Sequence, residues 1–297
     1  MPDVSAPGSS ALRERLLEVC AGDESSLRAI VDGARVPGLA ALLDHLPLRH
    51  HLLGAAEDSH EIAHALPRLV ELEPRPEVLG AFDPWLLPAT IFVVCAAPIE
   101  QLRMHLKRFL VVLDGTRREV LLRFYDPRTV APFLDASTDD ERRLFFGPIQ
   151  RLAAPTPSDP DGRWLRFDRP PGAVLSGALP ARQRPFALSR AHEDAFRSDS
   201  LARYETRVVA YLRQVHPARA LGQEDALLRA LVGAARRIGA ELGVIMGRDV
   251  TRLAEVLLLG GEAAAHDALG AAGPETRPAQ LLALRDRLAA AEASGLG

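Results

Sequence analysis

The sequence predicts an α/β N-terminal domain, with a mixed sheet and flanking helices, followed by an all-α C-terminal domain. Twenty of the 23 prolines lie at or before Pro185, and no Phe, Trp or Tyr follows Tyr211. Because proline interrupts helices and aromatic residues favour strands, this asymmetry predicts a loop-rich front and a helical rear. A chain of 297 residues has room for about two ordinary domains.

The front domain opens with a strand followed by a helix. Leu27–Val31 is an apolar run that ends at Asp32-Gly33, and leucines then recur at helical spacing across residues 37–46. A second apolar strand covers Ala89–Cys95. It leads into a helix that begins near Pro98, because proline is tolerated in a first helical turn.

Two strand-like runs follow, and the turn Asp114-Gly115-Thr116 between them predicts a β-hairpin. The runs cover Phe109–Leu113 and Glu119–Tyr125. Their consecutive apolar residues predict that both strands are central in the sheet. Asp126-Pro127 is expected to end the second strand, since proline restricts the residue before it and cannot donate to a strand ladder.

A helix is predicted to begin near Thr138 and to run toward Phe145. Thr138 and Glu141 have the spacing of a capping box, in which each side chain satisfies a backbone N–H at the helix start. Prolines and glycines dominate after this helix, around a short strand at Trp164–Phe167. The predicted divisions are a lead with a short helix at 1–26, an α/β domain at 27–153, a linker with one short strand at 154–188, and a helical domain at 189–297.

The rear domain shows helical periodicity throughout. Apolar residues recur at spacings of three and four between Leu201 and Val215, which predicts a strongly amphipathic helix. Further helices are expected at about 224–240, 248–259 and 278–292, and Gly260-Gly261 predicts a helix stop.

Composition excludes several classes of function. The 36 basic and 39 acidic residues give a net charge of -3, which predicts neither nucleic-acid nor anionic-membrane binding. Two cysteines are too few for a disulfide framework, and the longest apolar segment is too short to span a bilayer. Since the first ten residues also lack a secretion signal, we expect a cytoplasmic protein.

The segment His60-Glu61-Ile62-Ala63-His64 matches the HExxH pattern of zinc peptidases. Two histidines one helical turn apart can hold Zn²⁺, and the glutamate between them can activate a metal-bound water. However, Pro67 follows His64 by three residues, so the helix can hardly continue, and no third ligand stands in a recognisable downstream pattern. A zinc peptidase that uses His60, Glu61 and His64 is therefore the alternative hypothesis, and a solvated helix end is favoured over it.

No other motif predicts a cofactor, a metal site or a catalytic set. His50-His51, with His45 nearby, reads as partly exposed loop histidines rather than as metal ligands. A serine nucleophile elbow, a phosphate-binding glycine-rich loop and a Cys-x-x-Cys pair are all absent from the sequence. A secreted toxin, a third hypothesis, is disfavoured because it would need such a set.

Polar residues are densest around the hairpin: His105, Lys107 and Arg108 on the preceding helix, then Arg123, Tyr125, Asp126 and Arg128 after it. In a central strand, a buried Arg123 needs an acidic partner, which Asp126 or a helix-borne carboxylate could supply. A structural network that fixes the helix, the hairpin and the Asp-Pro turn together is favoured, with direct contact to a partner as the alternative.

The run LRMHLKRFLVVLDGTRREVLLRFYDPRTVAPFL, followed by FFGPIQRL, resembles the signature of the type VI secretion effector adaptor family, the Tap or Tec chaperones. In that family a His-Leu-Arg-like helix precedes two strands and an Arg-Phe-Tyr-Asp-Pro-Arg motif. The matching positions here are His105, Leu106, Arg108, Arg123, Phe124, Tyr125, Asp126, Pro127 and Arg128. Lys107 departs from the more usual arginine, which keeps the charge but loses the fork geometry.

The resemblance covers residues 27 to 152 and weakens to the fragments QVHP and VLLLGGE in the rear. It implies a non-catalytic adaptor without cofactor that binds an effector toxin protein. It also implies a second partner, a VgrG spike or a PAAR-type tip protein, onto which the effector is loaded.

Overall fold

The computed structural model describes residues 12, 14–16, 18, 27–46, 48–54, 63–72, 86–156, 159–172, 185–270, 273 and 275–294. The chain forms two compact units, Met1–Arg197 and Ser198–Gly297. The division between them falls inside a long helix, and the domain limits given above stay a prediction.

The first unit is built on a six-stranded sheet of order β2-β3-β1-β4-β7-β8, in which all five pairings are antiparallel. A second, two-stranded sheet contains β5 and β6. The strands are β1 Leu27–Val31, β2 His50–Leu52, β3 Arg68–Glu71, β4 Thr90–Val94, β5 Val111–Leu113, β6 Glu119–Leu121, β7 Arg151–Thr156 and β8 Asp159–Asp168.

Helices flank the sheet in the first unit and make up the second unit. Their bounds are α1 Leu39–His45, α2 Ile99–Lys107, α3 Pro127–Ala136, α4 Asp139–Phe146, α5 Arg190–Val215, α6 Pro217–Ala220, α7 Asp225–Glu241, α8 Gly247–Gly270 and α9 Arg277–Ala293. An α/β front with a helical rear, the predicted fold class, is confirmed.

The large sheet is buried on both faces, as its continuous apolar strands predict. Every residue of β4 is buried. Because successive side chains point to opposite faces, Ile91 and Val93 pack in a core with α2, α3 and α4, whereas Phe92 and Val94 pack in a core with α1.

The hairpin is present, but the prediction that its strands are central is wrong. Val111 and Leu121 stand directly opposite each other and are 47% and 53% exposed. The second strand was predicted to be too long because the apolar run continues past Leu121, where β6 ends. Phe124 and Tyr125 enter the core from the turn that follows, and not from the strand.

Asp126-Pro127 begins a helix that was not predicted, α3, and does not end a strand. Pro127 occupies its first position, where the missing N–H costs no helical hydrogen bond. The next helix confirms its prediction: Thr138 caps α4, and the Glu141 carboxylate accepts a hydrogen bond from the Thr138 N–H at 2.7 Å.

Part of the predicted linker belongs to the sheet. β7 and β8 pair from Arg151–Asp168 to Pro155–Trp164, so the short strand expected at Trp164–Phe167 is the second half of a longer edge strand. The register shifts next to Pro155, at Thr156. An irregularity of this kind is where a sheet tolerates a proline.

The four long helices predicted for the rear are all present. Gly261 has φ 74° and ψ 178°, so it interrupts α8 at the predicted glycine pair. The apolar faces of α5, α7, α8 and α9 share one core that includes Leu212, Val232, Leu253 and Leu281. Among the described residues, no helix has the length and apolar character needed to cross a membrane.

Candidate functional site

A network of arginines and aspartates joins the end of β1 to the turn that precedes α3. Asp32 is fully buried and follows β1 directly. Its backbone N–H donates to the Ala89 carbonyl at 2.9 Å, and its Oδ1 accepts from the Ala34 N–H at 3.1 Å. These bonds hold the second oxygen, Oδ2, toward Arg123, whose guanidinium donates to it.

Arg123 therefore pairs with Asp32, and the expectation of Asp126 or a helix-borne acid as its partner is wrong. The side chain of Arg123 lies in the loop after β6 and is 35% exposed, whereas that of Asp32 is fully buried. A buried carboxylate needs such a cation, because an unpaired charge in the interior is costly. The pKa of Arg123 is raised: burial lowers it, but the hydrogen bond and the charge of Asp32 outweigh that effect.

Asp126 serves both α3 and Arg128. Its Oδ1 accepts from the Arg128 backbone N–H at 2.9 Å, which caps the helix, and its Oδ2 accepts from Nη2 of the Arg128 side chain at 2.6 Å. Burial raises the pKa of the Asp126 carboxyl, but the hydrogen bonds from Arg128 outweigh burial and hold the pKa below its ordinary value. Asp126 is therefore a fixed carboxylate.

Tyr125 fills the space between this network and the core. It is 1% exposed, and its ring packs edge-on against Phe124 with 5.5 Å between the centroids. Burial, aided by the negative charge of Asp32, raises the pKa of the phenol to about 12. Tyr125 therefore places its ring in the core and its hydroxyl beside Arg123.

Arg35 closes the network and was missed in the sequence. Its Nη1 lies 3.7 Å from Oδ1 of Asp126 and also donates to the Pro88 carbonyl. In the sequence, the residue that could have indicated this end of the network is Asp32, because an acidic residue directly after a buried strand needs a cation as its partner. Nothing in the sequence linked it to Arg123.

His105 lies in the same unit but is not part of the aspartate–arginine network. Its side chain is buried, and Nε2 lies 2.7 Å from the Phe145 carbonyl oxygen, which requires the proton on Nε2. Burial lowers the pKa of His105 to about 4. The ring leaves no room for a side chain at Gly147, where a Cβ would stand 2.8 Å from Nδ1. His105 is a neutral residue that joins α2 to α4.

Arg108 lies outside the aspartate–arginine network, and its backbone N–H donates to the His105 carbonyl at 3.3 Å. It follows α2 and lines a cavity together with Phe109 and Phe186. The motif positions named in the sequence analysis thus divide into three places: the aspartate–arginine network, the buried histidine and this cavity.

Of the HExxH pattern, His60 and Glu61 lie outside the described residues. His64 lies in a turn that leads into β3 at Arg68, so no helix continues beyond it. His50 contacts Asp44 at 2.9 Å and His51 contacts Glu100 at 3.3 Å. Within the described ranges, no three His, Cys, Asp or Glu side chains are grouped to hold a metal ion.

The helical unit contains a buried polar network that the sequence did not reveal. His216 is 4% exposed, with Nε2 at 3.1 Å from Oε1 of Glu255 and Nδ1 at 3.1 Å from Oε2 of Glu292. Tyr211 donates its hydroxyl hydrogen to the same oxygen of Glu255 at 3.2 Å. His216 therefore joins α8 to α9, and the fragment QVHP, noted above only as a resemblance, supplies it.

The aspartate–arginine network presents cations at the surface and keeps its carboxylates inside. The side chains of Asp32 and Asp126 are at most 5% exposed, whereas those of Arg35, Arg123 and Arg128 are 27%, 35% and 37% exposed. This arrangement can hold the chain together and can also offer guanidinium edges to an acidic group.

Residues 28–144 match a family model described as "Domain of unknown function (DUF4123)". The match spans β1 to β6 and reaches into α4, so it includes the motif residues from His105 to Arg128. This domain is associated with type VI secretion effector adaptors, in agreement with the resemblance seen in the sequence. No curated protein and no solved structure matches the chain.

Proposed function

We propose that this protein is a non-catalytic adaptor chaperone of the bacterial cytoplasm. It binds a type VI secretion effector and helps to load that toxin onto a VgrG spike or a PAAR-type tip. The observation that carries the proposal is the family match over residues 28–144, which includes all six motif residues named in the sequence.

The geometry of the motif residues supports a structural role and not a catalytic one. A general acid or base needs a pKa near the working pH and access to the proton it transfers. Asp126 instead is held as a carboxylate by Arg128, with its pKa lowered, and Asp32 is fully buried against Arg123. His105 is buried and neutral, with its Nε2 proton engaged by the Phe145 carbonyl.

The test is capture of a partner by the full chain. The protein is expressed together with each toxin and each spike or tip protein encoded by neighbouring genes, and the complexes are isolated by affinity capture and size-exclusion chromatography. Co-elution with a neighbouring toxin is the expected result. The absence of any complex with a neighbouring toxin, spike or tip protein would overturn the proposal.

Two variants separate the motif from general surface charge. Asp126→Ala and Arg123→Ala are expected to weaken folding or the complex, because each removes one member of an ion pair of the network. Arg118→Ala is the matched control, since Arg118 is an exposed hairpin arginine whose side chain makes no ion pair within the described ranges. Circular dichroism of each variant distinguishes lost folding from lost binding.

Metal analysis distinguishes the adaptor from the zinc peptidase. Protein purified without added zinc is expected to contain no stoichiometric zinc, and His64→Ala is expected to leave its metal content unchanged. Near-stoichiometric zinc that is lost on His64→Ala would favour the peptidase.

A further inference from the structure

A small cavity opens at the end of α2, beside the hairpin. Its volume is about 230 Å³, and its apolar walls come from Phe109, Leu144, Pro185 and Phe186. Pockets for cofactors and other ligands of drug size run to about 300–1,000 Å³. The cavity is therefore of a size for a single amino-acid side chain.

The lining of this cavity also includes two cationic residues at the end of α2. Lys107 and Arg108 both contribute to the lining, and within the part of the chain that the structure describes, no carboxylate oxygen lies within 4 Å of either. Nη1 of Arg108 is buried and has no hydrogen-bond partner there. Burial lowers the pKa of Arg108, as expected for a cation without a compensating anion.

Arg108 differs in this respect from the other motif arginines. Arg123 is paired with Asp32, and Arg128 is paired with Asp126. A partly buried guanidinium that is left unsatisfied carries a cost, which an incoming carboxylate would remove through charge-assisted hydrogen bonds.

The rim beside the cavity is apolar and open to solvent. Val111 lines the mouth and is 47% exposed, and Leu121, its register partner on β6, is 53% exposed. Met104 lies one helical turn before Arg108 and is 58% exposed. Residues that precede an anchored group would therefore find apolar surface on which to lie.

We propose that this cavity binds the C-terminal residue of a partner polypeptide, with its apolar side chain against the phenylalanine walls and its free carboxylate on Arg108. A terminal residue is favoured because its carboxylate and its side chain branch from one Cα. Both can then enter a space of one side chain, whereas an internal acidic residue would have to bring two further backbone segments. The inference rests on the proposed adaptor function and names one contact through which a partner would bind.

The test uses a synthetic hexapeptide, Gly-Ser-Gly-Ser-Gly-Leu, titrated into the isotopically labelled full chain and followed by amide chemical shifts. The free acid is expected to shift amides around Phe109, Val111 and Phe186. Peptides with an amidated end, or with serine in place of the leucine, are expected to bind about tenfold more weakly, because each loses the ion pair or the apolar contact. Equal binding of acid and amide would overturn the proposal.

Protein variants locate the site. Arg108→Gln is expected to weaken binding of the acid about tenfold. Val111→Glu, at a position that is 47% exposed, is expected to do the same by placing a carboxylate beside the cavity, so the test stands even if Arg108→Gln fails to fold. Arg118→Gln is the control and should bind as the parent does. Unchanged binding by Val111→Glu would overturn the proposed location.

Capture of a full-length toxin separates this inference from the adaptor proposal. If the parent protein captures a neighbouring toxin while the peptide shows no binding, the cavity inference fails and the adaptor proposal stands. If the peptide binds as expected but no toxin, spike or tip protein is captured, the cavity is a carboxylate site and the adaptor proposal fails.

Discussion

The Arg123 guanidinium donates to the carboxylate of Asp32, a residue 91 positions earlier in the chain. This bond ties the end of the first strand to the loop after the hairpin. Because one partner is fully buried and the other lies at the surface, the pair closes the core at this point.

Removal of the cation is expected to destabilise the first unit. Breaking a buried ion pair costs about 3–5 kcal/mol, and we expect about 2 kcal/mol for Arg123→Gln because its side chain is about a third exposed. Urea unfolding of Arg123→Gln, Asp32→Asn and the double variant measures this loss. The double variant should be less destabilised than the sum of the single variants, and a strictly additive result would contradict the pairing.

The burial of His105 predicts a pH dependence of stability. Its pKa falls from 6.5 in the unfolded chain to about 4 in the folded chain, so the unfolded state binds the additional proton between these values. The stability that the neutral His105 ring contributes to the folded state is thus fully present above pH 6.5 and is lost as the pH falls toward 4. Between pH 7 and 4.5 the resulting loss in the free energy of unfolding should amount to about 2 to 3 kcal/mol.

His105→Gln retains a donor for the Phe145 carbonyl but does not titrate. The free energy of unfolding of this variant should fall less between pH 7 and 4.5 than that of the parent, by the same about 2 to 3 kcal/mol. Other titrating groups cancel in this difference. An identical pH dependence in both proteins would show that His105 is not buried as a neutral ring.

Gly147 and Gly172 allow a comparison of two reasons for requiring a glycine, a positive φ and a lack of space for a Cβ. Both have positive φ, 46° and 75°, but a Cβ at Gly147 would overlap the His105 ring, whereas none of the described atoms lies within 4 Å of a Cβ at Gly172. We expect Gly172→Ala to cost about 1 kcal/mol and Gly147→Ala about 3 kcal/mol or more. Thermal unfolding of the two variants makes the comparison, and equal costs would contradict the close approach of His105.

His216 should stabilise the helical unit. His216→Ala leaves the buried Glu255 without the imidazole that contacts it, and we expect a loss of about 2 to 3 kcal/mol in the free energy of unfolding. His266→Ala is the control, because His266 is exposed on α8, the helix that holds Glu255. Urea unfolding followed by far-ultraviolet circular dichroism compares them. Equal stability of the two variants would mean that the His216 contacts contribute nothing.

Local signals in the sequence were sufficient for most of the secondary structure. The apolar run of β1, the capping box of α4 and the glycine pair in α8 each depend on neighbouring residues only, and each was predicted at its observed place. The hairpin strands were wrongly predicted to be central because a single apolar run contains both an exposed strand and the buried turn after it. Periodicity alone cannot separate these uses.

The partners within the site depended on distant parts of the chain. A buried arginine signals that it needs an acid, but not which of the 39 acidic residues supplies it. The pairing of Arg123 with Asp32 follows from the meeting of β1 and the post-hairpin loop. His216 and Glu255 likewise meet through helix packing, which no local pattern encodes.

Asp126 meets two demands that together admit a single type of side chain. Asparagine would cap α3 equally well, but it is neutral and would remove the carboxylate that faces both Arg128 and Arg35. Glutamate would keep the charge, but its longer side chain is a poor helix cap. Neither of the two closest chemical neighbours of aspartate would therefore meet both demands at this turn.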